Sequence, residues 1–241
     1  MRIAPLWAEE CLSCHRERDP TLSAAWEKGA HRAVGVTCTT CHGHSHDGSM
    51  ASRARPTATC ITGCHQAQGS SHALSKHGVI GTLEADRSDF SLPLKEGNQR
   101  APSCAYCHLH ANEHDESAGI APLHPLIPPL TTLPEEAARA EARATPCRDC
   151  HSPRFVDTWF ESGDRMVEIG RMKVREAEAV VARFENPEAR AILERMKSVH
   201  LRNIRLGVGH ASPDDQWWHG QAALDGDLLR IKSFASFNSG P

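Results

Sequence analysis

The last third of the chain carries a regular pattern of apolar positions. Between Asp157 and Phe184, apolar residues recur every three or four positions among many Glu, Arg and Lys residues. This is the spacing of one face of an α-helix, so we expect a long amphipathic helix there. Asn186 and Pro187 have the form of an N-cap and a first helical residue. They predict a second helix, whose apolar stripe should end at Gly207.

The first 155 residues have a different pattern. Their connections are rich in Gly, Pro, Ser and Thr, and no apolar period is sustained apart from a short Ala, Glu and Arg stretch at 134–144 that indicates one helix. We therefore expect a mostly α fold with little regular secondary structure and no extensive sheet. Two regions are predicted: a core over residues 1–155, and a helical region over 156–241 that packs on the core or on a neighbouring subunit.

Composition and charge exclude two classes of protein. The 241 residues carry a net charge of −3, which gives no excess of positive charge for binding nucleic acid. The longest apolar stretch, near residues 120–133, is broken by prolines and is shorter than the roughly 18 to 20 apolar residues of a spanning helix. With one Tyr and six Phe but 16 His and 10 Cys, something other than aromatic side chains should fill the core.

The ten cysteines form five close pairs, and a histidine follows the second member of each pair. The spacing is C-x-x-C-H four times and C-x-x-x-C-H once. Because His is 16 of 241 residues, five such coincidences have a chance of about one in a million. Two thiols one turn apart can bond to one porphyrin, and the adjacent His then binds the iron. The motifs predict five covalent c-type haems, at Cys11/Cys14/His15 (site 1), Cys38/Cys41/His42 (site 2), Cys60/Cys64/His65 (site 3), Cys104/Cys107/His108 (site 4) and Cys147/Cys150/His151 (site 5).

Three other uses of paired cysteines explain the pattern less well. Disulfides in an exported chain would account for an even number of cysteines but not for the five histidines. Zinc ribbons need four ligands for each metal and give no reason for a His directly after each pair. Redox motifs of the thioredoxin type need a βαβ setting that this sequence does not contain.

The histidines outside the motifs are candidates for the opposite side of each iron. An iron with two histidines passes electrons, whereas an iron without a distal ligand could bind a small substrate. The sequence permits both outcomes, and spacing alone does not pair a ligand with its haem. The candidate distal ligands are His31, His46, His77, His114, His124, His200 and His210.

Haems also change the expected architecture and location. Each porphyrin is a large apolar plate, so stacked covalent haems would serve as the core of residues 1–155. Covalent haem attachment takes place outside the cytoplasm, and we therefore expect a periplasmic or extracellular protein. No export signal is visible before Cys11, which we interpret as the mature form of the chain.

Several segments extend beyond the bare haem motifs and carry a family resemblance. They lie at 10–43, 75–80, 101–115, 147–164 and 209–231. These segments resemble the hydroxylamine oxidoreductase group of multihaem cytochromes c, in a shortened five-haem form, and together they cover most of the chain.

The resemblance also marks a departure from the enzymes of that group. Those enzymes carry eight haems and react at a five-coordinate haem cross-linked to a tyrosine of the C-terminal region. Here the only tyrosine is Tyr106, inside a haem motif, and residues 215–217 read Asp-Gln-Trp. Oxidation of hydroxylamine by that mechanism is therefore not expected.

Two functions from different classes remain after this comparison, with a structural or haem-storage protein as a third. The first is electron transfer along five closely spaced haems between redox protein partners. The protein would act alone, as a subunit of a nitrogen-cycle or respiratory complex, or as a homo-oligomer or extracellular filament. The second is an enzyme in which one open-faced haem acts on a small nitrogen or sulfur compound, with the C-x-x-x-C-H site as the first place to look.

Overall fold

The fold was analysed in a computed structural model. It describes residues 6–92, 100–110, 114–115 and 133–238. These residues form helices and connecting segments and include no β-strand, which confirms the prediction of a mostly α fold. Among them, no helix has both the length and the apolar character needed to cross a bilayer.

The chain divides into two compact units. The first comprises Met1–Gly69 and Ile80–Val156, and the second comprises Ser70–Val79 and Asp157–Pro241. Residues 70–79 are thus grouped with the C-terminal helices. The sequence placed this segment in the region of the haem motifs, and the predicted domain boundary at 155/156 stays a prediction.

Short helices joined by turns make up the first unit. Helix α1 packs on α2 and α4, and α9 packs on α6 and α10. Asp19 caps α2, because its side chain accepts a hydrogen bond of 3.0 Å from the Leu22 N–H. The helices are α1 (Leu6–Arg18), α2 (Pro20–Lys28), α3 (Ala30–Ala33), α4 (Cys38–His42), α5 (Met50–Ala54), α6 (Thr57–Ile61), α7 (Gln66–Ala73), α8 (Lys76–Leu83), α9 (Cys104–His108) and α10 (Leu133–Arg148); residues 70–79 of α7 and α8 belong to the second unit.

Longer amphipathic helices make up most of the second unit. Two stretches of π-helix, Met196–His200 and Trp217–Gln221, join consecutive helices into longer rods. The helices are α11 (Pro153–Val181), α12 (Pro187–Arg195), α13 (Leu201–His210), α14 (Pro213–Gln216) and α15 (Ala222–Asn238), of which α11 begins in the first unit.

The structure confirms the long helix and its successor. Helix α11 runs for 29 residues, and its buried apolar side chains recur at helical spacing. Helix α12 begins as expected, because the Asn186 side chain accepts a hydrogen bond of 3.0 Å from the Ala189 N–H. The helix expected at 134–144 is also present, within the longer α10.

The expectation that the apolar stripe ends at Gly207 is wrong, because the next residue, Val208, is also buried. Helix α13 continues to His210 and is closed by Ala211, whose φ of 56° is left-handed. Gly207 has a packing role instead, because a Cβ built on it would lie 2.5 Å from the backbone nitrogen of Gln216. The absence of a side chain at Gly207 therefore lets the backbones of α13 and α14 approach closely.

The two units differ in how they bury apolar side chains. Among the described residues, the large apolar cluster lies entirely in the second unit, where Met196, Ile204 and Leu224 are completely buried. In the first unit several large apolar side chains near the motifs are exposed, such as Val34 at 77% and Phe155 at 51%. Among its described residues, the first unit thus has no buried apolar cluster of comparable size.

Candidate haem-binding sites

The C-x-x-C-H spacing matches one turn of helix. At sites 2 and 4 the motif is the helix itself, α4 and α9. Residues at positions i, i+3 and i+4 of a helix lie on one face, so both cysteines and the histidine of such a motif share a face. At site 5 the same turn is closed by a hydrogen bond of 2.9 Å from the His151 N–H to the Cys147 carbonyl.

Site 3 accommodates its extra residue in a turn. Helix α6 ends at Ile61, and Gly63 follows with a φ of 92°, in the left-handed region that favours glycine. The His65 N–H then donates to the Cys60 carbonyl at 3.1 Å. This bond joins the same two motif positions as the bond at site 5. The longer loop therefore keeps the backbone link between the first cysteine and the histidine.

Three of the predicted haem-binding cysteines are exposed. They are Cys14, Cys64 and Cys150, the second cysteines of sites 1, 3 and 5. Cys14 lies inside α1, where the other two members of its motif, Cys11 and His15, are only half-buried. The protein chain alone therefore does not enclose Cys14. A porphyrin bonded on this face of α1 would itself cover the thiol, and the role of Cys14 in haem attachment stays a prediction.

Motif thiols of consecutive sites lie close to one another within the first unit. In each case the two thiols are near enough to influence each other's ionisation. Burial, together with neighbouring thiols, raises the pKa of the Cys107 thiol to about 12. Thiol pairs link every site to the next one along the chain: Cys11 with Cys38, Cys41 with Cys64, Cys60 with Cys104, and Cys107 with Cys147.

Three candidate distal histidines have their rings close to the rings of motif histidines. A transition metal holds an imidazole nitrogen at roughly 2 Å, so two rings on opposite sides of one iron have centroids about 6 Å apart. The observed centroid separations fall close to this value, and they are 6.3 Å for His15 and His46, 5.8 Å for His65 and His31, and 5.9 Å for His42 and His114.

A backbone contact orients the motif histidine of site 2. His42 Nδ1 lies 3.0 Å from the Met50 carbonyl oxygen, which can only accept a hydrogen bond. The proton of the neutral ring is therefore on Nδ1, which leaves Nε2 available for the predicted bond to iron.

Arg53 holds the loop that carries both Met50 and His46. Its guanidinium donates to the His42 carbonyl at 2.8 Å and to the Ser45 carbonyl at 2.6 Å, and it pairs with Asp47 at 3.0 Å. The 43–53 loop, by which we mean residues 43–49 together with the start of α5, thus contributes a distal candidate to site 1 and a hydrogen-bond acceptor to site 2. Sequence reasoning missed Arg53 because its contacts run largely to backbone carbonyls, which leave no signal in a motif.

The remaining distal candidates have other surroundings. His77 is half-buried in the first turn of α8. His210 ends α13, with its ring centroid 6.3 Å from that of His72, while His200 Nε2 lies 3.0 Å from Asp227 Oδ2. His124 lies outside the described residues. The ligand roles of all seven candidate histidines stay predictions.

The residues present fit covalent haem better than the other uses of paired cysteines. All ten thiols are free of disulfides. The described part of the chain has no group of three or more His, Cys, Asp or Glu side chains arranged to hold a metal ion, as a zinc ribbon would require. The exposed apolar side chains of the first unit and the spacing of its histidine rings suit an apolar macrocycle with an iron at its centre.

Comparison with solved structures shows similarity to multihaem proteins. The reducing HAO-like protein complex Kustc0457/Kustc0458 of Kuenenia stuttgartiensis is 17% identical, with a TM-score of 0.60 over 95% of this chain and 85% of that chain. A hypothetical multiheme protein is 16% identical, with a TM-score of 0.65 over 83% of this chain and 58% of that chain. At these identities the similarity shows the fold, and it agrees with the resemblance noted in the sequence.

Two family models also match the chain. The model described as cytochrome c554 and c-prime matches residues 3–43. The model described as seven times multi-haem cytochrome CxxCH matches residues 24–189, which is more than half of the chain. The chain therefore belongs to the multi-haem CxxCH cytochrome family, whose c-type haems are covalently bound.

Proposed function

We propose that this protein transfers electrons along five closely spaced haem sites between redox protein partners. The observation that carries the proposal is the packing of the helices that hold the motifs, α1 on α4, α6 on α9 and α9 on α10. The neighbouring thiols of Cys41 and Cys64 extend this series across sites 2 and 3. When bound, haem supplies a one-electron iron couple at each site. The series provides a route through the first unit that needs no bound substrate.

The residues that would hold a haem at each site belong to the motifs and to the candidate distal histidines. The motif cysteines anchor the porphyrin and the motif histidines bind one side of the iron. His46, His31 and His114 bind the opposite side at sites 1, 3 and 2, because their rings lie 6.3, 5.8 and 5.9 Å from the motif rings. A second histidine fills the position at which a substrate would bind. Four further histidines are proposed as distal ligands without assignment to a particular site: His77, His124, His200 and His210.

Two measurements test this function: the number of haems per chain and the spectral response of the reduced protein to carbon monoxide. Pyridine haemochrome analysis and intact mass of the holoprotein should give five haems per chain. The dithionite-reduced protein should show no spectral change with carbon monoxide, because each iron already has two histidines. A carbon monoxide band would instead favour the alternative, an enzyme with one open-faced haem acting on a small nitrogen or sulfur compound. Fewer than five haems would remove part of the route.

We also propose a location and partners for this protein. Multihaem c-type cytochromes are typically exported, and we place this protein in the periplasm or outside the cell. Its partners are other redox proteins, whereas a homo-oligomer or filament would pass electrons between copies of the chain. Light scattering of the holoprotein distinguishes these arrangements: a mass near that of one 26.4 kDa chain with its haems indicates separate partners, and a larger assembly indicates self-association.

A further inference from the structure

A polar cluster joins the attachment turns of sites 4 and 5. Tyr106, in the middle of the fourth motif, donates its hydroxyl to Asp149 Oδ2 at 2.7 Å. Asp149 occupies the middle of the fifth motif. His110 Nε2 lies 3.0 Å from the same oxygen, and its ring centroid is 5.8 Å from that of Tyr106. One carboxylate therefore bridges two haem motifs.

The cluster is largely shielded from solvent. Tyr106 is 7% exposed, and the side chains of His110 and Asp149 are 22% and 21% exposed. A tyrosine hydroxyl donates its proton to a carboxylate oxygen, so the bond of 2.7 Å from Tyr106 fixes the Asp149 carboxylate in place.

The carboxylate also lies beside the porphyrin anchors of both sites. The thiol of Cys107, next to Tyr106, is close to those of Cys147 and Cys150 on either side of Asp149. A ferric haem carries one more positive charge than a ferrous haem, so a nearby negative charge stabilises the ferric state and lowers the reduction potential. Partial burial strengthens this effect, because solvent screens the charge less.

The following inference rests on the proposed function. We propose that the Asp149 carboxylate, held by Tyr106 and His110, lowers the reduction potentials of the haems at sites 4 and 5. Asp149 acts through its charge, and Tyr106 and His110 position it. The two sites at this end of the series then hold an electron less tightly than they would beside a neutral side chain.

Asp149→Asn tests the charge while keeping a side chain of the same shape. In a spectroelectrochemical titration of the holoprotein, two of the five potentials should move upward. At a fixed solution potential, the ratio of ferrous to ferric haem at these two sites should rise at least tenfold. For a one-electron couple, a tenfold change in this ratio corresponds to a shift of 59 mV in the reduction potential. Asp89→Asn is the matched control, because it removes one negative charge from an exposed position of the same unit and should shift no potential by as much.

Two further variants separate charge from structural support. Asp149→Glu restores the charge and should return both potentials towards the wild-type values. Tyr106→Phe removes a hydrogen bond that disperses the carboxylate charge, so it should move the same potentials downward. It also provides an independent test if the asparagine variant does not retain its haems. A role confined to structural support would lower stability in these variants without moving the potentials in opposite directions.

The results distinguish failure of this inference from failure of the proposed function. If the wild-type protein has five haems that do not respond to carbon monoxide and Asp149→Asn shifts no potential more than Asp89→Asn does, the inference is wrong and the electron-transfer function stands. A carbon monoxide response or a missing haem in the wild-type protein would count against the function itself.

Discussion

Gly63 is the residue at which site 3 departs from the other four sites. Its φ of 92° is left-handed, and a Cβ built on it would meet nothing within 4 Å. The requirement for glycine at this position is therefore conformational rather than steric. The spacing of the cysteines revealed the insertion, but only the structure shows that the backbone bond from His65 to Cys60 survives it.

Replacing this glycine should destabilise the protein. Gly63→Ala places a side chain in a left-handed conformation and should lower the free energy of unfolding by about 1 to 2 kcal/mol. Chemical denaturation of the holoprotein measures this change. Gly48→Ala is the matched control, since Gly48 also has open space around it but no positive φ. Equal effects of the two substitutions would show that the left-handed turn is absent.

The pairing of His46 with His15 makes a second prediction at this scale. His46→Asn removes the proposed distal ligand of site 1 and should convert one low-spin haem to a high-spin, five-coordinate haem. Electron paramagnetic resonance counts the low-spin and the high-spin haems. His44→Asn, in the same loop, should leave the count unchanged. An unchanged spectrum in His46→Asn would rule out this pairing.

Among the structural elements, the 43–53 loop connects two haem sites. It presents His46 to site 1 and the Met50 carbonyl to His42 of site 2, while Arg53 fixes its path. The sequence identified His46 as a ligand candidate. It gave no sign of this loop structure, because hydrogen bonds to backbone carbonyls depend on the path of the chain and not on the identity of the acceptor residue.

Arg53→Met should therefore disturb site 1 without touching either of its histidines. The substitution keeps a long side chain but removes the donors that hold the Ser45 and His42 carbonyls. We expect a fraction of high-spin haem to appear in the resonance spectrum. Arg55→Met is the control, since Arg55 holds the carbonyls of Phe90 and Leu92 instead. A spectrum identical to that of the wild-type protein would show that Arg53 does not position the loop.

The second unit offers a prediction about helix packing. A Cβ on Gly207 would collide with backbone atoms of α14, so Gly207→Ala should lower the free energy of unfolding by about 1 to 3 kcal/mol. Gly226 lies in α15 with open space around it. Gly226→Ala should be neutral or stabilising by up to about 1 kcal/mol, because alanine favours a helix. Denaturation followed by far-ultraviolet circular dichroism measures both, and the same sign for both changes would contradict this packing.

At the scale of the whole molecule, the sequence predicted the parts that depend on local spacing. The five motifs, helix α11 and the Asn186 cap are all encoded within a few neighbouring residues. The histidine pairs could not be predicted, because each joins residues from distant segments and no periodicity relates them. Gly207 was misinterpreted for a similar reason, since its contact with Gln216 arises only when α14 folds back on α13.

The molecule also divides its sources of stability between two units. The second unit buries a continuous apolar cluster, whereas the first unit carries all five motifs and leaves large apolar side chains exposed around them. The first unit should therefore depend on bound haem for its core. A protein produced without haem attachment should lose protection from hydrogen exchange in the first unit more than in the second. Equal protection in both units would show that the first unit folds without its cofactor.

The most direct test of the account is a count of low-spin and high-spin haems in the purified holoprotein. Electron paramagnetic resonance and near-infrared magnetic circular dichroism together give this count and identify the axial ligands. We expect five low-spin haems, each with two histidines, so that no iron has an open position for a substrate. One high-spin, five-coordinate haem would contradict the account and make that iron the candidate active site of an enzyme.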